Sequence, residues 1–208
     1  MTRLLPLLIL LLTGCHAKFK KYASTLGTVK VQVVNTGGPY VELGKVYSQQ
    51  PNLLTDVVNI VQEVRSLDLT NRIAAAVQVG AVNDALAAGY VETMGGGPPF
   101  GTSPESQALL QLEVESYGMY VPYLGAPGQF TYTARAVVYK ADGERIYRKR
   151  LTCTAGVGDP NLAAVVLGAV NNARQLDTLS DADINAIFVD TARWCGSRFV
   201  LTMRQHAG

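Results

Sequence analysis

FTYTARAVVYKADGERIYRKRLTC, residues 130–153, is the stretch on which the fold turns. Threonine, tyrosine and valine crowd it, the residue types that fit a pleated, half-buried surface. Asp142-Gly143 at its centre is a two-residue type I′ hairpin signal, because both positions of that turn tolerate positive φ. Phe130–Ala141 and Glu144–Thr152 are therefore predicted to be antiparallel neighbours. Just upstream, Leu109–Val121 carries an alternating pattern, which predicts a third strand. Leu110, Leu112, Val114 and Tyr120 should face one way, and Gln111, Glu113, Glu115 and Tyr117 the other.

Towards the N-terminus, Thr28–Asn35 sets Val29, Val31 and Val33 against Lys30 and Gln32, a half-buried strand. Thr36-Gly37-Gly38-Pro39 is expected to break it, with Tyr40–Tyr47 as a short further strand. From Leu53 the period turns helical: Leu53, Val57, Ile60 or Val61, Val64 and Leu67 recur at helical spacing. Asn71–Ala88 predicts a second helix, with Gly80 allowing close approach and Gly89 as its stop. Tyr90–Met94 reads as a strand, and Gly95–Gly101 as a flexible loop with Phe100 exposed. That loop lacks the Gly-Lys-Ser/Thr ending of a phosphate loop.

Beyond the hairpin, Asp159-Pro160 predicts a helix start. Ser180 with Asp183 resembles a capping box, opening a helix through Ile184, Ile187, Phe188, Thr191, Trp194 and Cys195 towards Met203. This element order predicts an α+β fold: an antiparallel sheet with a three-strand meander and helices packed on one face.

The first residues carry an address. Arg3 precedes the apolar run Leu4–Leu12, then Thr13 and Gly14 stand before Cys15. That run is too short to cross a hydrocarbon core of about 30 Å, but suits a secretory signal. Leu12-Thr13-Gly14-Cys15 looks like a lipobox, whose thiol accepts a diacylglyceryl group before cleavage on its N-terminal side. Two acyl chains give a stable anchor where one is marginal. The division expected is a signal peptide over 1–14, a lipidated, lysine-rich tether over 15–27 and a single domain over 28–208. Removing the signal takes only Arg3 from the net charge of +2. A near-neutral domain gives no electrostatic reason to expect nucleic acid.

Cys153 and Cys195 remain, 42 residues apart. In an oxidising compartment an even pair is most simply a disulfide, contributing roughly 3–4 kcal/mol by chain entropy. The alternative is two separate buried thiols.

Candidate chemistry is sparse. His16 and His206 sit near the chain ends, so no Ser-His-Asp or Cys-His arrangement is expected. No His/Cys cluster has metal-ligand spacing, and neither metal nor cofactor is expected. Glu113 and Glu115 share one strand face, as a glycosidase pair would, although a solvated face explains them as well. Arg148 and Arg150, with Tyr139 and Tyr147, form the candidate ligand-binding set, for an anionic lipid or glycan. Edge-strand protection by charge is the competing explanation of the arginines.

With the lipobox, the element order and the hairpin Tyr139-Lys-Ala-Asp-Gly-Glu-Arg-Ile-Tyr147, the chain resembles small lipoproteins that accompany outer-membrane assembly and lipid-transport machines, of the lipopolysaccharide-assembly or ABC-transporter auxiliary type. The resemblance implies a non-enzymatic accessory or assembly subunit, with an envelope protein as partner and the membrane reached through its lipid. His16 after the cysteine implies outer-membrane sorting, with the domain facing the periplasm. A lipid- or glycan-binding envelope module is the alternative.

Overall fold

The computed structural model describes residues 17–43, 67–121, 129–155 and 179–208. The signal segment with Cys15, most of the helix expected from Leu53 and the helix expected at Asp159-Pro160 lie outside them. In the described residues, helix α1 (17–23) precedes β1 (Thr28–Leu43), then come α2 (67–76), α3 (Val79–Met94), β2 (Gly101–Thr102), β3 (Leu109–Val121), β4 (Gln129–Tyr139), β5 (Arg145–Thr154) and α4 (Asp181–Ala207).

The five strands form one sheet in the order β2-β1-β3-β4-β5. The meander β3-β4-β5 is antiparallel, with Leu112 opposite Ala136 and Val137 opposite Arg148. The expected antiparallel sheet is nevertheless wrong. β1 lies parallel to β3, Lys30 against Leu109 through Leu43 against Val121, and β2 lies parallel to β1. The sheet is mixed, because the chain between β1 and β3 contains α2 and α3, long enough to return β3 in the same direction.

β1 also does not stop at Thr36-Gly37-Gly38-Pro39. It continues to Leu43 through a bulge between Asn35 and Gly38. Opposite this bulge, β3 carries an extra residue between Val114 and Ser116. Gly37 is required there, since a Cβ would stand 1.5 Å from the Glu115 carbonyl oxygen. The Thr36 hydroxyl donates to the Val114 carbonyl at 3.0 Å, which holds the two irregularities together.

The bulge reverses the side-chain parity of β3. Before it, Leu110, Leu112 and Val114 face the core as expected. After it, Tyr117 is the buried residue, stacked edge-on against Phe188 at 5.4 Å, and Tyr120 pairs with exposed Gln129 on the opposite side. The predicted assignment of these two tyrosines is thus exchanged.

The hairpin turn is tighter in chemistry and longer in residues than a two-residue loop. Gly143 N–H donates to the Lys140 carbonyl at 3.0 Å, and Lys140 N–H to that of Glu144 at 2.9 Å. Gly143 has φ +82°, but among the described residues no non-glycine has positive φ. Asp142 therefore cannot supply a type I′ turn. The hairpin is a type I turn closed by a glycine bulge.

Two helices pack on one face of the sheet. α4 begins at the expected capping box, with Asp183 N–H donating to the Ser180 hydroxyl at 3.2 Å and Ser180 N–H to the Asp183 carboxylate at 3.0 Å. Its buried residues, Ile184, Ile187, Phe188, Thr191, Cys195, Phe199 and Met203 among them, follow one stripe for the helix length. Phe188 meets Phe130 at 5.5 Å, ring edge to ring face.

The expected helix Asn71–Ala88 is two helices broken at Val77 and Gln78. Gly89 does not end the second. The helix runs on through Tyr90–Met94, and Gly95 in the left-handed conformation stops it. Gly89 and not Gly80 permits close packing: a Cβ on Gly89 would lie 1.9 Å from the Arg193 carbonyl oxygen, whereas Gly80 has open space. The glycine-rich loop that follows is fixed by Arg204, which donates to the carbonyls of Pro98, Thr93 and Met94. Phe100, expected to be exposed, is buried against Phe19.

Residues 17–23, expected as part of a solvated tether, are a helix docked on the body. Phe19, Tyr22 and Ala23 share its inner side. Phe19 is fully buried and lies 4.3 Å from the Tyr147 ring, and Lys140 stands over the Tyr22 ring.

Candidate functional site

The sheet face turned away from α3 and α4 holds the only ladder of charged side chains among the described strands. Glu113, opposite Arg135, and the bulge residue Glu115 both point outward. Arg135 lies between them, donating from Nη1 to the Glu113 carboxylate at 3.1 Å and ion-paired through Nη2 with Glu115. Arg150, in register with Arg135, adds its Nε to the other Glu115 oxygen at 2.5 Å. Gln111 closes the row by donating to Glu113 at 3.1 Å. The two glutamates do share a face, but one guanidinium bridges them and a second binds Glu115. This arrangement neutralises two neighbouring carboxylates at the bend of the sheet; it leaves no gap between them for a sugar ring and a water.

The candidate ligand-binding set does not converge. Tyr139, Arg148 and Arg150 lie on the outward face, Arg150 occupied by Glu115. Tyr147 lies on the other face, almost fully buried, because it is one residue out of phase with both arginines. Tyr117 and Tyr132 are in the core with Tyr147, and burial pushes all three phenols up from their ordinary range.

Tyr147 instead meets His206. Its hydroxyl and the imidazole Nδ1 are 2.9 Å apart, beneath Phe19. Position near the chain end had suggested that His206 could not be oriented by packing. The length of α4 overrides that, since it carries His206 back to the start of β5. At the far end of the same pairing, Cys153 and Cys195 form a disulfide with Cα atoms 5.7 Å apart. α4 and β5 are thus joined at two places. The helical stripe containing both Cys195 and His206 was the available signal for the second.

Among the described residues, no three His, Cys, Asp or Glu side chains are grouped as a metal centre would need. No helix among them is long and apolar enough to cross a membrane.

No known family model matches the chain, and no curated protein matches its sequence. Solved structures give loose superpositions. A DUF330 protein from Xanthomonas campestris aligns with TM-score 0.36 and 12% identity, covering 86% of this chain and 89% of its own. A candidate lipoprotein from Caulobacter crescentus gives 0.30 and 9%, covering 91% and 98%. The lipoprotein GNA1162 from Neisseria meningitidis gives 0.24 and 15%, covering 68% and 94%. Similarity at this level carries no argument about what the present chain does.

Proposed function

We propose that the chain is a bacterial envelope lipoprotein, acylated on Cys15 and serving as a non-enzymatic accessory or assembly subunit. The observation that carries the reading is the segment Arg3–Cys15: one positive residue, a short apolar run, two small residues and a cysteine, in the order that secretion and acylation require. The lipoproteins among the solved structures add nothing at their level of similarity. His16 favours the outer membrane, with the domain in the periplasm.

Partner contact is assigned to β5, an edge of the described sheet. An edge strand offers unpaired backbone groups to an incoming strand, and Arg148, Lys149 and Arg150 along it disfavour indiscriminate pairing. The candidate ligand set gives no support to a lipid- or glycan-binding role, since its four residues divide between two faces.

Cross-linking in cells followed by membrane extraction tests the role. A single envelope protein should be recovered in fixed proportion, and the charge reversals Arg148→Glu and Arg150→Glu should abolish its recovery. Recovery of the protein alone, or of the same partner after both reversals, contradicts the assignment.

A further inference from the structure

From the way α1 is docked, we infer that the domain is held on an anionic bilayer in one orientation, with α1 and the β4–β5 turn against the head groups. This rests on acylation of Cys15.

Chain geometry sets the reach. One residue, His16, separates Cys15 from Ala17, the first described residue of α1, and the two chain steps span at most about 7 Å. A flexible tether would let the domain tumble. Here the chain becomes a docked helix almost at once, so the anchor and the body move together. The docking is firm: Phe19 is fully buried between Tyr147 and Phe100, and Lys18 pairs with Glu144 of the hairpin.

The geometry also says which end of the molecule is down. α4 and β5 run side by side, joined at His206–Tyr147 and again at Cys195–Cys153. Their near ends, Gly208 and the turn at Lys140–Glu144, therefore lie at one end of the domain. α1 sits there too, with Lys20 Nζ donating to the Gly208 carbonyl oxygen at 2.5 Å. Asp181, at the start of α4, is 25 residues from His206, a helical distance of roughly 38 Å.

Charge at this end fits an anionic surface. Ala17, Lys20, Lys21 and Ser24 are exposed at spacings of three and four, on the side of α1 opposite Phe19. The hairpin's two acids are already engaged, Asp142 with Lys140 and Glu144 with both Lys18 and Lys140. With Arg145 exposed beside them, α1 and the turn present five cations against two carboxylates. Basic residues close to a bilayer gain from its negative surface potential.

The test uses the full-length acylated protein in vesicles of phosphatidylcholine and phosphatidylglycerol carrying a nickel-chelating lipid. Nitroxide labels are placed singly by Ser24→Cys, Ala141→Cys and Ala182→Cys. Relaxation enhancement should be strong at 24 and 141 and lost at 182. A ten-residue Gly-Ser insertion between His16 and Ala17 should erase that contrast, and Lys20→Gln with Lys21→Gln should weaken the signal at 24. Equal enhancement at all three positions, enhancement strongest at 182, or no response to the two lysine substitutions overturns the inference. Acyl labelling of each sample separates the cases: acylated protein without the contrast refutes the orientation alone, and absence of acyl groups on Cys15 refutes the anchor itself.

Discussion

Gly196 of α4 lies directly against Gly89 of α3: a Cβ on Gly196 would come within 3.1 Å of the Gly89 carbonyl carbon and 2.2 Å of the Leu86 carbonyl oxygen. The two helices cross at backbone contact, and Thr93 and Ser197 stitch the next turn with a hydroxyl bond of 2.8 Å. Because the obstructing atoms are backbone, no side chain can swing aside. Gly196→Ala should cost about 3 kcal/mol or more in urea denaturation, the upper range for overpacking. Gly80→Ala, in the same helix as Gly89 but in open space, should stabilise by about 0.5–1 kcal/mol. Equal effects at the two positions would show that the crossing is looser than described.

The disulfide closes a 42-residue separation. Chain entropy gives it about 4 kcal/mol, so the double variant Cys153→Ala, Cys195→Ala should lose close to that in denaturant unfolding. Reduction of the wild type should lower its stability by a similar amount and leave the double variant unchanged. The Tyr147–His206 contact at the other end of α4 keeps helix and strand in register, so the reduced protein should remain folded at low denaturant.

Ser180 caps α4, and Ser180→Ala should cost about 1 kcal/mol at neutral pH. The cap is also pH-dependent. Hydrogen bonds from the Ser180 hydroxyl, and then from its backbone N–H, hold the Asp183 carboxyl below its ordinary value of 3.8. A carboxyl depressed on folding contributes its stability above the unfolded value and loses it as pH falls through the folded one. The difference between wild type and Ser180→Ala should therefore be full at neutral pH and shrink below about pH 4, as read by thermal unfolding across an acid series.

How much of this was legible differs by element. The meander strands could be read because β3, β4 and β5 alternate and the turn contains Asp142-Gly143; the cap could be read because Ser180 and Asp183 are three apart. Parallel pairing of β1 was not legible, since alternation is the same for either strand direction. The bulge at Glu115 left no local mark in β3, and everything beyond it, Tyr117 first, was assigned to the wrong face. Gly89 looked like a helix stop because glycine serves both for stops and for close crossings, and only the Arg193 carbonyl opposite it decides between them. The outward carboxylates were legible as a pair, but Arg135 sits on another strand 22 residues from Glu113, and no short-range pattern connects them.

That pairing has its own consequence. Arg135 is 26% exposed and bridges two carboxylates, whereas Arg150 is 64% exposed and binds one. Arg135→Leu leaves Glu113 and Glu115 adjacent without the group between them and should cost about 2 kcal/mol. Arg150→Leu should cost under about 1 kcal/mol, as exposed pairs do. Adding Glu113→Gln and Glu115→Gln to Arg135→Leu should recover most of the loss, measured as shifts in the urea midpoint; no recovery would mean that the ladder stabilises by packing and not by charge.

Whether Cys15 is the anchor is read from the intact mass of the protein extracted from bacterial membranes. Anchoring through Cys15 requires a chain beginning at Cys15, heavier than the residues 15–208 by a diacylglyceryl group and, where the amine is also modified, by one further acyl chain. A chain that retains residues 1–14, or one cut elsewhere with an unmodified Cys15 thiol, would contradict it.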